Sequence, residues 1–452
     1  MAQEQPNWWP GEAHEKFTKW AISQGVEASG VSPARFHGRG LGMIATRGIE
    51  KGELILSVPL QVMLTTDSIP LSFATRFADD ISVHGLLAAF LTHGEPKDLE
   101  KYDLWRLSWP MHQEFKDSMP ILWPQSLRTS NTKNNDISSP TICLPPSISG
   151  LWNSFQNGAQ FQYEYDRDHQ DLLPKQEKRL LDAWDRVLAV FPDTDWDTYS
   201  YYWLIVNTRS FYYLMPGIQP PEDRNDAMAL VPFADYFNHS DVAVSEPVSC
   251  HLWKECFWSF RISFDILRYI KCDVNFDGTR YTFRATKSYD KGEEIYMSYG
   301  PHSNDFLFTE YGFFLDENDY ESLYLDDIVF RDLNASQKEE LNLQQYYGNY
   351  QLTASGACYR TEIAACIKYM TRRNWRNYVL GHSTKGVDAR KTESVIRGWV
   401  KTYSNEAKTT ITALEALRSN EENVPFSSNI DMLLKRWKQI EWLCNNTAEA
   451  IS

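Results

Sequence analysis

The chain has 452 residues, of which 42% are hydrophobic and 23% are charged, a composition that is typical of a globular protein and excludes a disordered one. Its length favours two or more domains. The formal net charge of −15 argues against a protein that binds nucleic-acid phosphates directly, and it suits encounters with basic protein partners.

The sequence lacks two kinds of apolar segment. No stretch approaches the ~20 apolar residues that span a bilayer, and the opening MAQEQPNWWPGEAHEK lacks the apolar core of a signal peptide. We therefore expect a soluble cytoplasmic or nuclear protein that does not bind membranes.

The seven cysteines include no C-x-x-C pair, so neither a disulfide framework nor a structural zinc site is expected. Cys250, His251 and Cys256 lie close together, but their spacing fits no common metal site. The sequence therefore predicts no metal centre.

The first predicted element is a helix from Glu12 to Gln24, because Phe17, Trp20 and Ala21 recur at helical spacing before Gly25. The next segment predicts a strand at 41–47, a turn at 50–52 and a second strand at 53–60. Its ATRGIEKGELI (45–55) is echoed by ATKSYDKGEEI (285–295), and each copy predicts a hairpin closed by a Lys-Gly-Glu turn. The echo indicates that both ends of this long region contribute to one sheet system.

Helical patterns dominate the rest of the chain. Residues of about 65–230 are predicted to be mainly helical and rich in loops, with amphipathic helices at 177–191 and 199–214. After about Asp316, helical patterns follow at 337–347, 360–375, 405–419 and 429–444. We interpret residues 321–452 as a separate helical domain.

Four segments stand out for their chemistry: GRGLG (38–42), NTRSF (207–211), DYFNHS (235–240) and SYGPHSNDFLFTEYGFF (298–314). Taken singly, each has an ordinary structural explanation, because glycine clusters make turns and most tyrosines are core residues. In this order, they resemble the SET-domain protein lysine methyltransferases. More narrowly, they resemble the subfamily of the Rubisco large-subunit methyltransferase and its fungal ribosomal-protein relatives.

The resemblance implies an α+β fold, in which a SET-domain β-fold is split by a long helical insert and followed by an all-helical C-terminal domain. The SET domain would cover residues 1–320, with the insert at about 65–230, and a substrate-binding-like helical domain would cover 321–452. It also implies S-adenosylmethionine as cofactor and a protein substrate that carries the target lysine.

The family's functional residues carry over to matching positions of this chain. Tyr299 would be the catalytic tyrosine, which orients the amine, while Phe211 and Tyr311 would line the lysine stem. Asp235 is expected to support the local turn, and His302 is left without a role. The cofactor-binding residues implied by the resemblance are Gly38, Arg39, Gly40, Leu41, Gly42, Arg209, Asn238, His239 and Tyr299.

The expected chemistry agrees with these residue types. A lysine side chain is protonated at neutral pH, and loss of that proton costs about 4–5 kcal/mol. A narrow apolar channel lowers this cost by desolvating the ammonium group. Aromatic walls attract the alkylammonium, and alignment of the amine with the methyl group supplies most of the acceleration.

Residues 242–271 depart from the family pattern. This tract, VAVSEPVSCHLWKECFWSFRISFDILRYIK, has neither clean alternation nor a helical period, and it separates Asn238-His239 from the next predicted strand near Cys272. It is either a genuine inserted element or a translated intron. We favour the intron, because Val244-Ser245 is what a common splice-donor sequence would encode.

Two alternatives to lysine methylation stay open at this point. The first is methylation of a protein histidine, since a related member type of the subfamily uses the same scaffold. Neutral imidazole needs less desolvation than a lysine ammonium, so the shape of the channel separates the two activities. A SET fold that docks a basic protein segment without catalysis is the second alternative. The C-x-C cluster of many histone-directed enzymes does not follow Tyr311, so a non-histone, possibly ribosomal, substrate is expected.

Overall fold

The computed structural model describes residues 8–37, 39–77, 81–128, 143–150, 162–241 and 272–450. The chain forms two compact units. The first unit contains residues 1–112 and 179–301, and the second contains residues 113–178 and 302–452. The predicted insert thus contributes to both units, and the predicted domain boundary at 320 stays a prediction. The anomalous tract 242–271 lies outside the described residues.

The described strands, in chain order, are β1 Glu27–Ala28, β2 Val31–Phe36, β3 Gly40–Ala45, β4 Leu54–Pro59, β5 Ser210–Tyr212, β6 Met228–Leu230, β7 Asn238–His239, β8 Cys272–Phe276, β9 Arg280–Ala285, β10 Glu294–Met297, β11 Ser322–Tyr324, β12 Gln351–Thr353 and β13 Gly356–Ala357. The described helices are α1 Glu12–Ser23, α2 Leu71–Ala74, α3 Val83–His93, α4 Pro96–Leu99, α5 Asp103–Arg106, α6 His112–Ser118, α7 Gln125–Arg128, α8 Pro146–Ser149, α9 Leu172–Val190, α10 Trp196–Arg209, α11 Asn304–Tyr311, α12 Asp326–Asp332, α13 Ala335–Leu343, α14 Tyr359–Cys366, α15 Arg372–Val379, α16 Ala389–Arg418 and α17 Ser427–Ala450.

Two four-stranded sheets form the centre of the first unit. Their strand orders are β1-β4-β9-β8 and β2-β3-β10-β7, and β5 pairs with β6 in a separate ribbon. The pairs are antiparallel except for β7 with β10, which run parallel. Strands separated by more than 200 residues are therefore neighbours, as the echo predicted.

The predicted hairpins are wrong. β3 and β4, which flank the first Lys-Gly-Glu turn, lie in different sheets, and so do β9 and β10. Each copy of the echo instead pairs with the other copy, β3 with β10 and β4 with β9. Ile49 and Tyr289 exchange both backbone hydrogen bonds at 2.9 Å where the copies cross. Local turn signals predicted the elements, but the pairing follows the non-local match of the two copies.

The helices of the first unit follow the apolar pattern with one difference. α1 buries Phe17 and Ala21, as its spacing predicted. The helix predicted at 199–214 ends at Arg209, because residues 210–212 form β5 and pair with β6. The end of α10 therefore brings Arg209 and Phe211 to the start of a strand.

The second unit is mainly helical, as expected, and its longest elements are α16 and α17. It is not all-helical, because β11, β12 and β13 form a three-stranded sheet. Strands of two or three residues are too short to show an alternating pattern, which is why the sequence did not predict them. α17 is anchored by Arg436, whose guanidinium is 1% exposed and pairs with Asp305 at 2.8 Å and Glu321 at 2.8 Å.

The described residues contain neither a membrane-spanning helix nor a metal-binding cluster. No described helix combines the length and the apolar character that a membrane crossing requires. Within the same residues, His, Cys, Asp and Glu side chains form no group of three or more that could hold a metal ion.

Candidate functional site

The site begins with Asn238, which β7 presents beside β10. The parallel register pairs Asn238 with Tyr296 and His239 with Met297. The Asn238 side-chain amide donates to the Leu41 carbonyl at 2.9 Å and to Glu294 Oε1 at 2.8 Å. One amide group thus connects the GRGLG segment, the Asn-His segment and the start of β10.

Glu294 is the buried acceptor at the centre of these contacts. Its side chain is 4% exposed, and it accepts from the Tyr296 hydroxyl at 2.6 Å as well as from Asn238. Arg39 Nη2 lies 3.0 Å from Glu294 Oε2, and the same guanidinium donates to the Tyr296 hydroxyl. Burial and the neighbouring carboxylate raise the pKa of Tyr296. A buried carboxylate is tolerated because three donors satisfy it.

Two glycines of the GRGLG segment, Gly40 and Gly42, occupy their positions for different structural reasons. Gly40 adopts φ +77, a left-handed conformation that favours glycine, and a Cβ there would face open space. A Cβ on Gly42 would lie 2.6 Å from Glu294 Oε1 and 2.7 Å from Asn238 Nδ2. Gly42 is therefore required by the Asn238–Glu294 contact. Gly38 lies outside the described residues.

His239 and Tyr299 form the second part of the site. The Tyr299 backbone N–H donates to His239 Nδ1 at 3.0 Å, and the two rings lie 5.1 Å apart. The Tyr299 hydroxyl donates to the Phe237 carbonyl at 2.7 Å. Burial raises the pKa of Tyr299 to about 12, with Arg209 opposing the shift and Asp235 and Glu294 adding to it. At neutral pH the phenol is therefore a protonated donor and not a base.

Arg209 is held by a buried acidic residue. Its Nη1 donates to the Asp235 carbonyl at 2.9 Å and lies 3.6 Å from Asp235 Oδ2. Trp105 Nε1 donates to the same carboxyl oxygen at 3.0 Å. Burial raises the pKa of Asp235, and Arg209 and Trp105 oppose that shift. Asp235 therefore does more than support a local turn, because it connects α5 to the end of α10.

Ring contacts describe the positions of three further residues from the motif segments, Phe211, Tyr311 and His302. Phe211 lies in β5 with its ring edge-on to Phe283 at 5.9 Å. Tyr311 ends α11 in the second unit, with its ring 6.2 Å from Phe313. His302, also in the second unit, stacks on Phe306 at 4.1 Å. In the first unit, short contacts join Asn238 to Leu41 and, through Glu294, to Arg39. His239 contacts Tyr299, and Arg209 contacts Asp235.

The sequence interpretation missed Glu294, Tyr296 and Trp105. Glu294 belongs to the quoted KGEE turn, so a signal was present, but it was interpreted only as a turn residue. Tyr296 lies two residues further along the alternating strand, on the same face as Glu294. Nothing local marks Trp105 as a partner of Asp235, because 130 residues separate the two.

The hydrogen-bond donors of this site suit an amino-acid cofactor such as S-adenosylmethionine. Arg209 Nε is buried and has no hydrogen-bond acceptor among the described residues, so the guanidinium keeps a donor suited to a carboxylate. The open space beside Gly40 adds room for close approach to the backbone. The residues present therefore fit the group.

Comparison with protein families gives two matches. The SET domain matches residues 40–300, and the Ribosomal lysine N-methyltransferase 2 C-terminal domain matches residues 321–448. The SET match includes residues 41–42, 209, 238–239, 294 and 299, so the contacts among these residues lie within the matched segment.

Relatives and solved structures agree with these matches. The chain is 34% identical over 171 residues to Ribosomal lysine N-methyltransferase set11 of Schizosaccharomyces pombe, covering 38% of this chain and 36% of the relative. It is 24% identical over 331 residues to SET domain-containing protein 4 of Homo sapiens, covering 71% of this chain and 63% of the relative. The chain thus spans less than two thirds of either relative. Rubisco LSMT bound to AdoMet shares the fold with a TM-score of 0.53 and 15% identity, over 98% of this chain and 93% of that one.

Proposed function

The chain belongs to the SET-domain family, and on that premise we propose that it is a protein-lysine N-methyltransferase that uses S-adenosylmethionine. The observation that carries the proposal is the pair of short contacts made by Tyr299. Its backbone is bound by His239 and its hydroxyl by the Phe237 carbonyl. A protonated, half-buried and oriented phenol beside the Asn-His segment is what methyl transfer to an amine requires of the protein.

The cofactor role of the first-unit residues is part of this proposal. Arg209 would bind the cofactor carboxylate through its planar donor group, with Asp235 holding the guanidinium in place. Asn238, His239 and the backbone of Gly38, Arg39, Gly40, Leu41 and Gly42 would hold the rest of the cofactor. When it is bound, S-adenosylmethionine supplies an electrophilic sulfonium methyl group.

The substrate role of the aromatic residues follows the same logic. The Tyr299 hydroxyl is uncharged at neutral pH, because burial raises its pKa to about 12. It would orient the lysine amine without removing the proton, which leaves to water. Phe211 would line the lysine stem, where aromatic faces attract an alkylammonium.

The substrate class is inferred from the relatives. A ribosomal lysine methyltransferase matches at 34% identity, and the C-terminal region matches the C-terminal domain of another. We therefore propose a ribosomal protein as substrate and the cytoplasm or nucleus as location. The formal charge of −15 favours encounter with the basic segments in which target lysines occur. Histidine methylation and non-catalytic docking are the competing functions.

Mass mapping of a labelled product tests the proposal. The full chain is incubated with ribosomal proteins and S-adenosylmethionine that carries a deuterated methyl group. We expect the label on lysine side chains only, at a rate that Tyr299→Phe lowers about 100-fold or more. Label on histidine would favour the histidine alternative. No label from a chain that binds the cofactor would favour the docking module.

A further inference from the structure

The second unit carries a concentration of positive charge that the proposed methyl transfer does not use. Residues 368–391 contain seven basic residues and one acidic residue, in a chain whose formal charge is −15. The basic patch is defined here as Lys368, Arg372, Arg373, Arg376, Lys385, Arg390 and Lys391. We propose that the basic patch binds the phosphate backbone of single-stranded RNA.

The patch is contiguous around helix α15. Trp375 is 0% exposed and donates its indole N–H to the Ile363 carbonyl at 3.0 Å, so α15 packs through this face. Arg373 is exposed on the outward side of the helix. The chain then folds back, because a Cβ on Gly386 would lie 3.2 Å from Asn374 Nδ2 and 3.5 Å from Met370 Cε. This turn brings Lys385 next to α15.

The start of α16 continues the patch. The Lys391 ammonium lies 5.8 Å from the centre of the Tyr369 ring, and the Tyr369 hydroxyl donates to the Asp388 carbonyl at 3.1 Å. Arg390 and Lys391 occupy the first turn of α16, which contains no acidic residue. Cations are unfavourable at a helix N-terminus. The N-cap residue Asp388 accepts from the Lys391 backbone N–H at 3.2 Å and offsets part of this cost. Arg390 is the cation of this turn that has no carboxylate partner within ion-pair distance among the described residues.

Ion pairs within the fold neutralise only part of the patch. Lys368 pairs with Asp332 at 2.9 Å, and Lys391 lies 3.7 Å from Asp388. Arg372 and Arg376 both pair with the carboxylate of Glu340, and the negative charge of Glu339 also attracts Arg376.

Three cations of the patch form no ion pair among the described residues. The side chains of Arg373, Lys385 and Arg390 are exposed and have no carboxylate partner within ion-pair distance in the part of the chain that the structure describes. They are the cations that are available to an external ligand.

The residue types favour a phosphate backbone over an acidic protein segment. Four of the seven cations are arginines, whose planar donor group binds phosphate through two hydrogen bonds. Asn374, Asn377, Ser383 and Thr384 lie between them, and these types make many of the contacts to phosphate and sugar. Leu380 and Val387 are exposed as well, and an acidic peptide that uses them is the competing ligand. The predicted lack of nucleic-acid binding rested on the net charge of the whole chain, which hides this local patch.

The test is fluorescence anisotropy of the full chain with a labelled single-stranded RNA of roughly 16 nucleotides. No cofactor is added, so the result does not depend on the proposed methyl transfer. If three or four phosphates are neutralised, raising the salt from about 50 to 200 mM weakens binding about 20- to 50-fold. The triple variant Arg373→Glu, Lys385→Glu, Arg390→Glu should lose binding more than about tenfold and show a shallower salt dependence.

Two further variants control for charge and folding. Lys19→Glu, Lys51→Glu, Lys291→Glu reverses three exposed lysines of the first unit and should bind RNA within about threefold of the parent, because screening limits distant charges. The milder Arg373→Gln, Lys385→Gln, Arg390→Gln variant should show an intermediate loss if the glutamate variant does not fold. Three results would overturn the proposal. The first is no RNA binding by the parent chain, and the second is an equal loss of RNA affinity in the patch variant and in the first-unit lysine variant. The third is displacement of RNA by an equal concentration of polyglutamate.

Discussion

The Asn238 side-chain amide donates a hydrogen bond of 2.8 Å to the buried carboxylate of Glu294, whose side chain is 4% exposed. This contact joins β7 to β10 and, through the Leu41 carbonyl, to β3. The proposed cofactor site therefore depends on a residue that belongs to none of the four segments that first indicated its chemistry.

Glu294→Ala should destabilise the chain and weaken cofactor binding. Removal of the carboxylate leaves the Asn238 amide and the Tyr296 hydroxyl without this acceptor, which costs about 1.5–3 kcal/mol in the free energy of unfolding. The Kd for S-adenosylmethionine should rise about tenfold for each 1.4 kcal/mol that reaches the site. Thermal unfolding and calorimetry measure the two effects. Glu317→Ala, at an exposed position, is the control, and equal behaviour of the two variants would refute the assignment.

Gly42→Ala and Gly48→Ala form a matched pair. A Cβ on Gly42 would lie 2.6 Å from Glu294 Oε1, whereas a Cβ on Gly48 has no atom within 4 Å. Overpacking at the first position should cost about 1–3 kcal/mol and disrupt the Asn238 contacts. The second substitution should change stability by less than about 0.5 kcal/mol. Thermal unfolding of both variants checks this, and a tolerated Gly42→Ala would contradict the described packing.

Tyr299→Phe should separate catalysis from cofactor binding. Loss of the hydroxyl removes the group that orients the amine, so kcat should fall about 100-fold or more. The Kd for S-adenosylmethionine should stay within about threefold, because the backbone bond to His239 does not need the hydroxyl. Tyr359→Phe, at a half-exposed position, is the control. A Tyr299→Phe enzyme with nearly full kcat would exclude the catalytic role.

The pH dependence of kcat/KM should rise without a downturn from about pH 7 to 10. The free lysine amine becomes more abundant over this range, since an ordinary lysine pKa is about 10.4. The Tyr299 pKa is raised to about 12, so the phenol keeps its proton until the pH passes that value. If the reaction required ionised Tyr299, kcat/KM would continue to rise above the lysine pKa and towards pH 12. A fall in activity between pH 9 and 10 that Tyr299→Phe removes would show that the Tyr299 pKa is not raised.

Arg436→Met and Arg418→Met compare a buried ion cluster with an exposed ion pair. Arg436 is 1% exposed between Asp305 and Glu321, and its loss leaves two buried carboxylates, at a cost of about 3–5 kcal/mol. The Arg418 side chain is 55% exposed and lies 2.7 Å from Asp431, so its loss should cost less than about 1 kcal/mol. Urea unfolding measures both free energies. Similar costs would mean that the Arg436 cluster is not the anchor of α17.

The sequence predicted the helices and the fold class better than the pairing of the strands. The periodicity of α1 and the order of the four motif segments were local signals. The two Lys-Gly-Glu turns predicted hairpins, but each arm pairs with the other copy some 240 residues away. Nothing local distinguishes these outcomes, because strand propensity depends on its tertiary partners.

The same limit applies to the acidic residues of the site. The sequence around Glu294 predicts a solvated turn, but β7 places Asn238 beside its carboxylate. The sequence around Asp235 predicts a local turn residue, but α5 supplies Trp105 as a donor to its carboxylate. Burial of a carboxylate is set by donors that are distant in sequence, and composition does not reveal them.

The most direct test of the account is calorimetric titration of the full chain with S-adenosylmethionine. The account predicts saturable binding of one cofactor per chain, retained by Gly48→Ala and lost or strongly weakened in Gly42→Ala. Absence of binding by a folded parent chain would contradict the proposed cofactor site and leave a SET fold that docks protein without transferring a methyl group.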